Sequence, residues 1–217
     1  MLCLVYPIKR LKVWRSLQRR HKPLEKERYS LLKKCLNLII QKATWKKAVI
    51  FTALFAALFA LINYSSVGVA GLLRITGGAN ILDFEFGFTQ EKAYQMLTAL
   101  GEEGRAFYFS KILPLDFPFP MTYAFFFAGW MALLIKHTSF KRTPTYLLLI
   151  PACAMLSDWT ENMGLIAMLN NYPNLPIWAV NLASTAGIFK NVLIGTSGIT
   201  VGILSIIFFV KKVQKNS

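Results

Sequence analysis

The residues best suited to chemistry stand in one short polar run, SDWTEN, within an otherwise apolar stretch. Asp158, Glu161 and Asn162 are spaced i, i+3 and i+4, and residues at this spacing share one face of a helix. Two carboxyl groups in a partly dry site can act as acid and base when their environments differ. The run therefore predicts Asp158 and Glu161 as candidate catalytic groups and Asn162 as a binding residue.

Three further polar residues are predicted to lie at a similar depth, because each opens another apolar stretch. Asp116 precedes the second stretch, and Lys190 with Asn191 precedes the fourth. A Lys–carboxylate pair would offset part of the cost of burying either charge, although Lys190 could instead extend alone to a membrane interface. We expect Lys190 to pair with Asp158 or Glu161.

The segment between the first two apolar stretches adds three candidate binding residues, Asp83, Arg105 and Tyr108. The planar guanidinium of Arg105 could bind a phosphate or a carboxylate. Alternatively, Arg105 pairs with an Asp and pins this segment to the rest of the protein, and this second hypothesis is favoured.

The sequence lacks the residue patterns typical of metal, disulfide, thiol-redox and nucleotide-binding sites. His21 and His137 lie far from the acidic run, and Cys3, Cys35 and Cys153 show neither disulfide nor thiol-redox spacing. No nucleotide-binding glycine loop occurs either. We expect no metal and no cofactor.

The composition indicates that these residues are positioned by membrane helices. Of the 217 residues, 55% are hydrophobic and 16% are charged, whereas soluble domains average ~45–50% and ~25%. An aromatic content of 14% excludes disorder. Several uncharged runs of about 20 residues are each long enough to cross a bilayer.

The sequence therefore predicts an all-α polytopic membrane protein built as a four-transmembrane-helix bundle. A basic amphipathic N-terminal arm, residues 1–47, precedes the transmembrane domain, residues 48–217. The spans are predicted at about 48–71, 117–135, 145–167 and 189–210, with a helical exterior cap formed by residues 74–116.

Charge sets the expected orientation. The formal net charge is +15, and 20 of the 25 Lys and Arg residues fall in the arm, the turn after the second span and the C-terminal tail. Because basic residues stay on the cytoplasmic side, both termini are predicted to be cytoplasmic. The localisation expected is a bacterial inner (plasma) membrane, with an organellar membrane as the alternative.

The arm predicts contact with membrane lipids. Leu31, Leu36 and Ile40 recur at helical spacing among lysines, which is typical of a helix that lies on an anionic leaflet. The alternative is that the arm only fixes topology. A second copy of the chain or another membrane protein is a possible partner, and no nucleic-acid partner is expected.

The exterior segment carries signals for two short helices. Thr89 has the character of an N-cap, Gly101 ends the first helix and Pro114 ends the second. Residues 81–86 alternate between apolar and acidic, as in a short strand or an interfacial loop. Along the fourth helix, Ala183, Gly187, Asn191 and Gly195 form a row of mostly small residues that predicts close packing against the third helix or a second copy.

The segments GFTQEKAYQMLTALGEEGRAFY, DFPFPMTY and LSDWTEN together resemble small four-span bacterial integral membrane proteins of unassigned function. The resemblance covers about residues 80–200 and implies the fold without an activity. Three functions stay open: a structural or partner- or ligand-binding membrane protein, a lipid-acting isomerase or hydrolase that uses the paired carboxylates, and an oligomeric carrier or channel component. The first is favoured.

Overall fold

The described part of the chain is helical. The computed structural model describes residues 30–138 and 144–216, and within these ranges it contains no strand. The α-helices are α1 (30–41), α2 (Trp45–Tyr64), α3 (Val69–Thr76), α4 (Gln90–Ala99), α5 (Gly101–Phe107), α6 (Leu113–Asp116), α7 (Phe119–Thr138), α8 (Leu149–Asn171) and α9 (Ile177–Asn216). This confirms the all-helical class. Of the two predictions for residues 81–86, the strand is wrong, because buried Ile81 and Leu82 lead into a 3-10 turn, Leu82–Phe84.

Three helical stretches among the described residues are long and apolar enough to cross a membrane. They are Trp45–Thr76, Gly101–Thr138 and Ile177–Lys215, and they contain the first, second and fourth predicted spans. The third predicted span lies mainly in α8, which has 23 residues but is not among these stretches. The polar run from Ser157 to Asn162 makes α8 less apolar than its neighbours.

One predicted helix end is wrong, and the fourth helix extends beyond its predicted span. Pro114 does not end a helix, because a π-helical segment, Tyr108–Ile112, is followed directly by α6, and Pro114 lies in the first turn of α6. A proline is tolerated there, since the first N–H groups of a helix have no partner within the helix. The fourth helix begins at Ile177, directly after Pro176 and well before the predicted span that starts at about residue 189. Lys190 consequently lies well inside α9.

A tight turn divides the first apolar stretch into α2 and α3. The Ser65 hydroxyl donates to the Leu61 carbonyl at 2.6 Å. A Cβ on Gly68 would lie 1.9 Å from the Ile62 carbonyl oxygen, so only glycine fits this turn. The predicted single span of 48–71 is thus a 20-residue helix and a shorter one that turns into the cap.

Helices α3 to α6 form a cap over one end of the α8–α9 pair, which we call the cap end. Leu72, Leu97 and Tyr108 of the cap are fully buried in one cluster with Leu165 of α8 and Val180 of α9. The predicted cap helices therefore form and bury a shared apolar face.

Two sequence signals inside the cap are confirmed. Thr89 is the N-cap of α4 and accepts a hydrogen bond from the Lys92 N–H at 3.2 Å. Gly101 has a φ of +66°, the left-handed conformation that glycine adopts readily at a helix end. The Gln90 side chain then ties α4 to the turn before α9 by donating to the Leu175 carbonyl at 3.1 Å.

The opposite end gathers lysines, and we call it the basic end. The Lys136 ammonium donates to the Gln41 and Ala43 carbonyls at 2.8 Å, and the Lys211 ammonium donates to the Thr138 carbonyl. The helix predicted in the arm is confirmed as α1, whose Leu36 packs against α7. Residues 1–29 of the predicted arm and residues 139–143 of the basic turn lie outside the described residues.

Candidate functional site

Helix α8 presents its polar run inward. Asp158, Glu161 and Asn162 are 2%, 0% and 0% exposed, so the i, i+3, i+4 spacing places all three on the buried face of the helix. A helix this polar is sheltered by its neighbours, and α8 packs against both α7 and α9, which also contact each other.

Lys190 of α9 joins the two carboxylates. Its ammonium nitrogen lies 2.5 Å from Glu161 Oε2 and 3.9 Å from Asp158 Oδ1, and Lys190 is only 7% exposed. The lysine does not extend alone to the surface. A buried ion pair of this kind links α8 directly to α9, and removal of one partner would leave the other charge buried without compensation.

Close packing of α8 and α9 brings these charges together. A Cβ added to Gly187 would lie 2.5 Å from Glu161 Oε1, and a Cβ added to Gly164 would lie 2.8 Å from the Ala183 Cβ. The small-residue row of α9 therefore packs against α8 at Ala183 and Gly187. Farther along the same row, a Cβ on Gly195 would meet open space.

Tyr123 of α7 completes the site and was not among the residues predicted from the sequence. Its hydroxyl donates to Asp158 Oδ2 at 3.0 Å, and the side chain is 2% exposed. One signal could have found it, because Tyr123 follows Asp116 by seven residues, and two helical turns place such residues on one face.

The cap contributes a second group of contacts. The Asn162 amide donates to Asp116 Oδ2 at 2.7 Å, so the end of α6 is tied to α8. The Tyr108 hydroxyl donates to Asp83 Oδ2. We call Asp83, Tyr108, Asp116, Tyr123, Asp158, Glu161, Asn162 and Lys190 the buried polar cluster.

The cluster carries more acid than base. Asp83, Asp116, Asp158 and Glu161 bring four carboxyl groups within Coulombic range of one ammonium, that of Lys190. Among the described residues, Asp83 Oδ1, Asp158 Oδ1 and Glu161 Oε1 are enclosed and accept no hydrogen bond. Buried acceptors without a donor are uncommon in proteins, since each costs roughly 1–3 kcal/mol.

Two predicted site residues lie apart from the cluster. Arg105 donates to the Leu97 carbonyl at 2.9 Å and stacks on the Tyr172 ring, with its guanidinium carbon 3.9 Å from the ring centroid. The favoured Arg–Asp pair is therefore wrong, and Arg105 pins the cap through an aromatic ring instead. Asn191 is half-buried beside Lys190 and makes no side-chain hydrogen bond within the described part of the chain.

The contacts of Asp158 and Glu161 bear on whether these two carboxylates could act in catalysis. Glu161 is in contact with Lys190, and Asp158 is held by Tyr123, so both candidate catalytic carboxylates already serve as links between helices. Over residues 30–138 and 144–216, no group of three or more His, Cys, Asp or Glu side chains could hold a metal ion.

A scan against protein-family models finds no match for this chain, and neither a curated protein nor a solved structure matches it.

Proposed function

We propose that the chain is an integral membrane protein with four spans, provided by α2, α7, α8 and α9. Three long apolar helical stretches support this proposal. The polar face of α8 is buried against α7 and α9, which would shield it from lipid. The concentration of lysines at the basic end favours an orientation with the basic end, and both termini, in the cytoplasm. A bacterial plasma membrane is the proposed location.

Within this topology the protein acts as a structural, partner-binding membrane protein rather than as an enzyme. The observation that carries the proposal is the 2.5 Å contact between Lys190 and Glu161. It belongs to a continuous set of links from α7 through α8 to α9, with Asn162 extending the set to α6. The cluster fixes the relative positions of the helices, and the cap they support is available to a partner outside the membrane.

A second candidate function is the binding of a small cationic ligand. The excess of carboxyl groups over Lys190 favours it, as do the enclosed oxygens of Asp158 and Glu161 that accept no hydrogen bond. An ammonium-like group would supply both charge and donors. In the alternative function, a lipid-acting enzyme, the carboxyl groups of Asp158 and Glu161 would instead exchange protons with the substrate.

A double-mutant cycle separates these functions. Glu161→Gln keeps the size of the side chain but leaves Lys190 buried without its nearest charge, and loss of one partner costs about 3–5 kcal/mol in buried pairs. Lys190→Met in the Glu161→Gln background should recover much of that loss. Asp158→Asn should lower the free energy of unfolding by less than Glu161→Gln does. The Asp158 carboxylate is 3.9 Å from the Lys190 ammonium, and an Asn side chain there can still accept the hydrogen bond from Tyr123.

The readouts are unfolding in detergent and complementation of a deletion strain. A structural cluster predicts that stability falls in Glu161→Gln and that stability and complementation recover together in the double variant. If Glu161→Gln is as stable as the wild type but fails to complement, the acids serve a ligand or a reaction and the structural proposal is wrong. If it is stable and complements fully, the cluster has no central role.

A further inference from the structure

A second site lies away from the buried polar cluster, on the side of the bundle where α1, α2, α7 and α8 meet. These helices enclose a groove of about 660 Å³. The volume falls within the ~300–1,000 Å³ that is usual for small-molecule sites. Neither the proposed topology nor the cluster accounts for this groove.

The wall of the groove is apolar and is kept open by small side chains. Ala124, Ala128, Gly129 and Ala132 line it from α7, and Ala152 lines it from α8. Larger residues at the alanine positions would fill the space, whereas Gly129 lets the Phe51 ring pack against α7, since a Cβ there would lie 3.0 Å from the ring. A long, flexible hydrocarbon chain suits such a wall better than a polar ligand does.

The length of the groove corresponds to one leaflet. Along α8 it runs from Leu149 to Trp159, which is about 15 Å at 1.5 Å per residue. The hydrocarbon core of a bilayer is ~30 Å thick, so the groove is about as long as the hydrocarbon part of one leaflet. Trp159 closes the far end, and its indole N–H is fixed by the Phe117 carbonyl at 2.9 Å.

The near end of the groove is positively charged. Lys42 and Lys47 line it there, and no Asp or Glu does so within the described residues. The Lys47 ammonium donates to the Lys42 carbonyl at 3.0 Å, which holds it at this position, while the Lys42 side chain is exposed. The N-terminus of α2 begins between the two lysines, at Trp45, and the positive end of its helix dipole adds to their attraction for an anion.

We propose that this groove binds one anionic phospholipid of the leaflet at the basic end. An acyl chain lies along the alanine-rich wall of α7 and α8, and the phosphate lies beside Lys42 and Lys47. Both parts of a phospholipid are required, because the wall selects hydrocarbon and the entrance selects negative charge. The proposal rests on the proposed membrane topology, and it assigns a defined site with one lipid rather than general attraction of the basic arm to a surface.

The test measures lipids bound to the full-length protein purified in a non-ionic detergent. Phosphatidylglycerol and phosphatidylcholine with the same acyl chains are added in turn, and the bound lipids are counted by native mass spectrometry. The wild type should take one phosphatidylglycerol with clear preference over phosphatidylcholine. Ala152→Phe, which fills the groove, should weaken this binding at least tenfold. Ala60→Phe makes the same change at an exposed position of α2 outside the groove and should have little effect.

Charge is tested separately from the wall. Lys42→Gln should lower the affinity for phosphatidylglycerol about five-fold, which corresponds to the roughly 1 kcal/mol that one Lys near an anionic surface supplies. Its affinity for phosphatidylcholine should not change. Lys46→Gln removes an exposed lysine of the same turn that does not line the groove, and it should leave the preference intact. Should Ala152→Phe unfold the protein, Ala128→Leu fills the opposite wall with a smaller side chain.

The outcomes are distinct. Equal binding of the two lipids by the wild type, or binding unchanged in both Ala152→Phe and Ala128→Leu, would overturn the lipid site. A dimer that is lost when the groove is filled would also overturn it, because a second copy would then be the occupant. Recovery of the wild-type protein from the soluble fraction of cells would instead refute the membrane topology, so failure of the site and failure of the proposed function can be told apart.

Discussion

Gly187 offers a sharp test of the packing that assembles the buried polar cluster. An alanine Cβ at this position would lie 2.5 Å from Glu161 Oε1 and 3.1 Å from its carboxyl carbon. Moving α8 and α9 apart to make room would open the close contact between Gly164 and Ala183 one turn away. The carboxylate itself must therefore shift, and its contact with Lys190 weakens.

The size of the effect follows from two opposing contributions. Overpacking of a buried site costs about 1–3 kcal/mol, and the loss of contact with Lys190 adds to this cost. Replacement of glycine by alanine within a helix returns about 0.5–1 kcal/mol. We expect Gly187→Ala to lower the free energy of unfolding by about 1–2 kcal/mol overall, measured by denaturation in detergent.

Gly195→Ala is the matched control, since it makes the same change two turns farther along α9, where a Cβ meets open space. This variant should be as stable as the wild type or up to ~1 kcal/mol more stable. In a Glu161→Ala background the cost of Gly187→Ala should largely disappear, because the group it displaces is absent. Equal stability of the Gly187→Ala and Gly195→Ala variants would refute the packing argument.

Two further predictions concern the link from α7 and the orientation of the chain. Tyr123→Phe removes the hydrogen bond to buried Asp158 and should lower the free energy of unfolding by about 1–3 kcal/mol. The control Tyr64→Phe, at an exposed tyrosine, should change the free energy of unfolding little. Equal effects of the two substitutions would contradict the proposed link. Single cysteines placed at Glu102 and Lys212 in a cysteine-free variant should react from opposite sides of the membrane with an impermeant thiol reagent, and labelling from the same side would exclude the proposed topology.

Local signals predicted the cap helices well but not their continuation. Thr89 and Gly101 act within one helical turn, so their roles as N-cap and helix end could be read from neighbouring residues. Pro114 has the same strong local preference, yet the helix passes through it. The π-helical segment before Pro114 shifts the backbone hydrogen bonds by one residue relative to an α-helix, and no pattern in the sequence predicts that shift.

The inward face of α8 could be predicted because it depends only on helical spacing. The full length of α9 was not predicted, because Lys190 was interpreted as lying at the boundary between water and membrane. A lysine marks such a boundary only when water solvates it, and here Glu161 and Asp158 replace the water. The uncharged stretch from Ile177 to Phe189 was in fact the better signal for a continuous helix.

Partners from different helices were the hardest part of the site to predict. Tyr123 is one of several aromatic residues in its span, and Arg105 could reach an acid or a ring with equal chemical sense. Which partner each one meets depends on the packing of whole helices, which spacing within one helix does not determine.

Lysine residues have different roles at the two ends of the bundle. At the basic end, Lys136 and Lys211 donate to backbone carbonyls, so part of the positive charge ties helix ends together. Beneath the cap, the contact between Lys190 and Glu161 ties the interior of α9 to the interior of α8. Lys42, in contrast, has an exposed side chain at an apolar groove. Because its ammonium has no ion pair or hydrogen bond among the described residues, Lys42 can interact with a lipid headgroup.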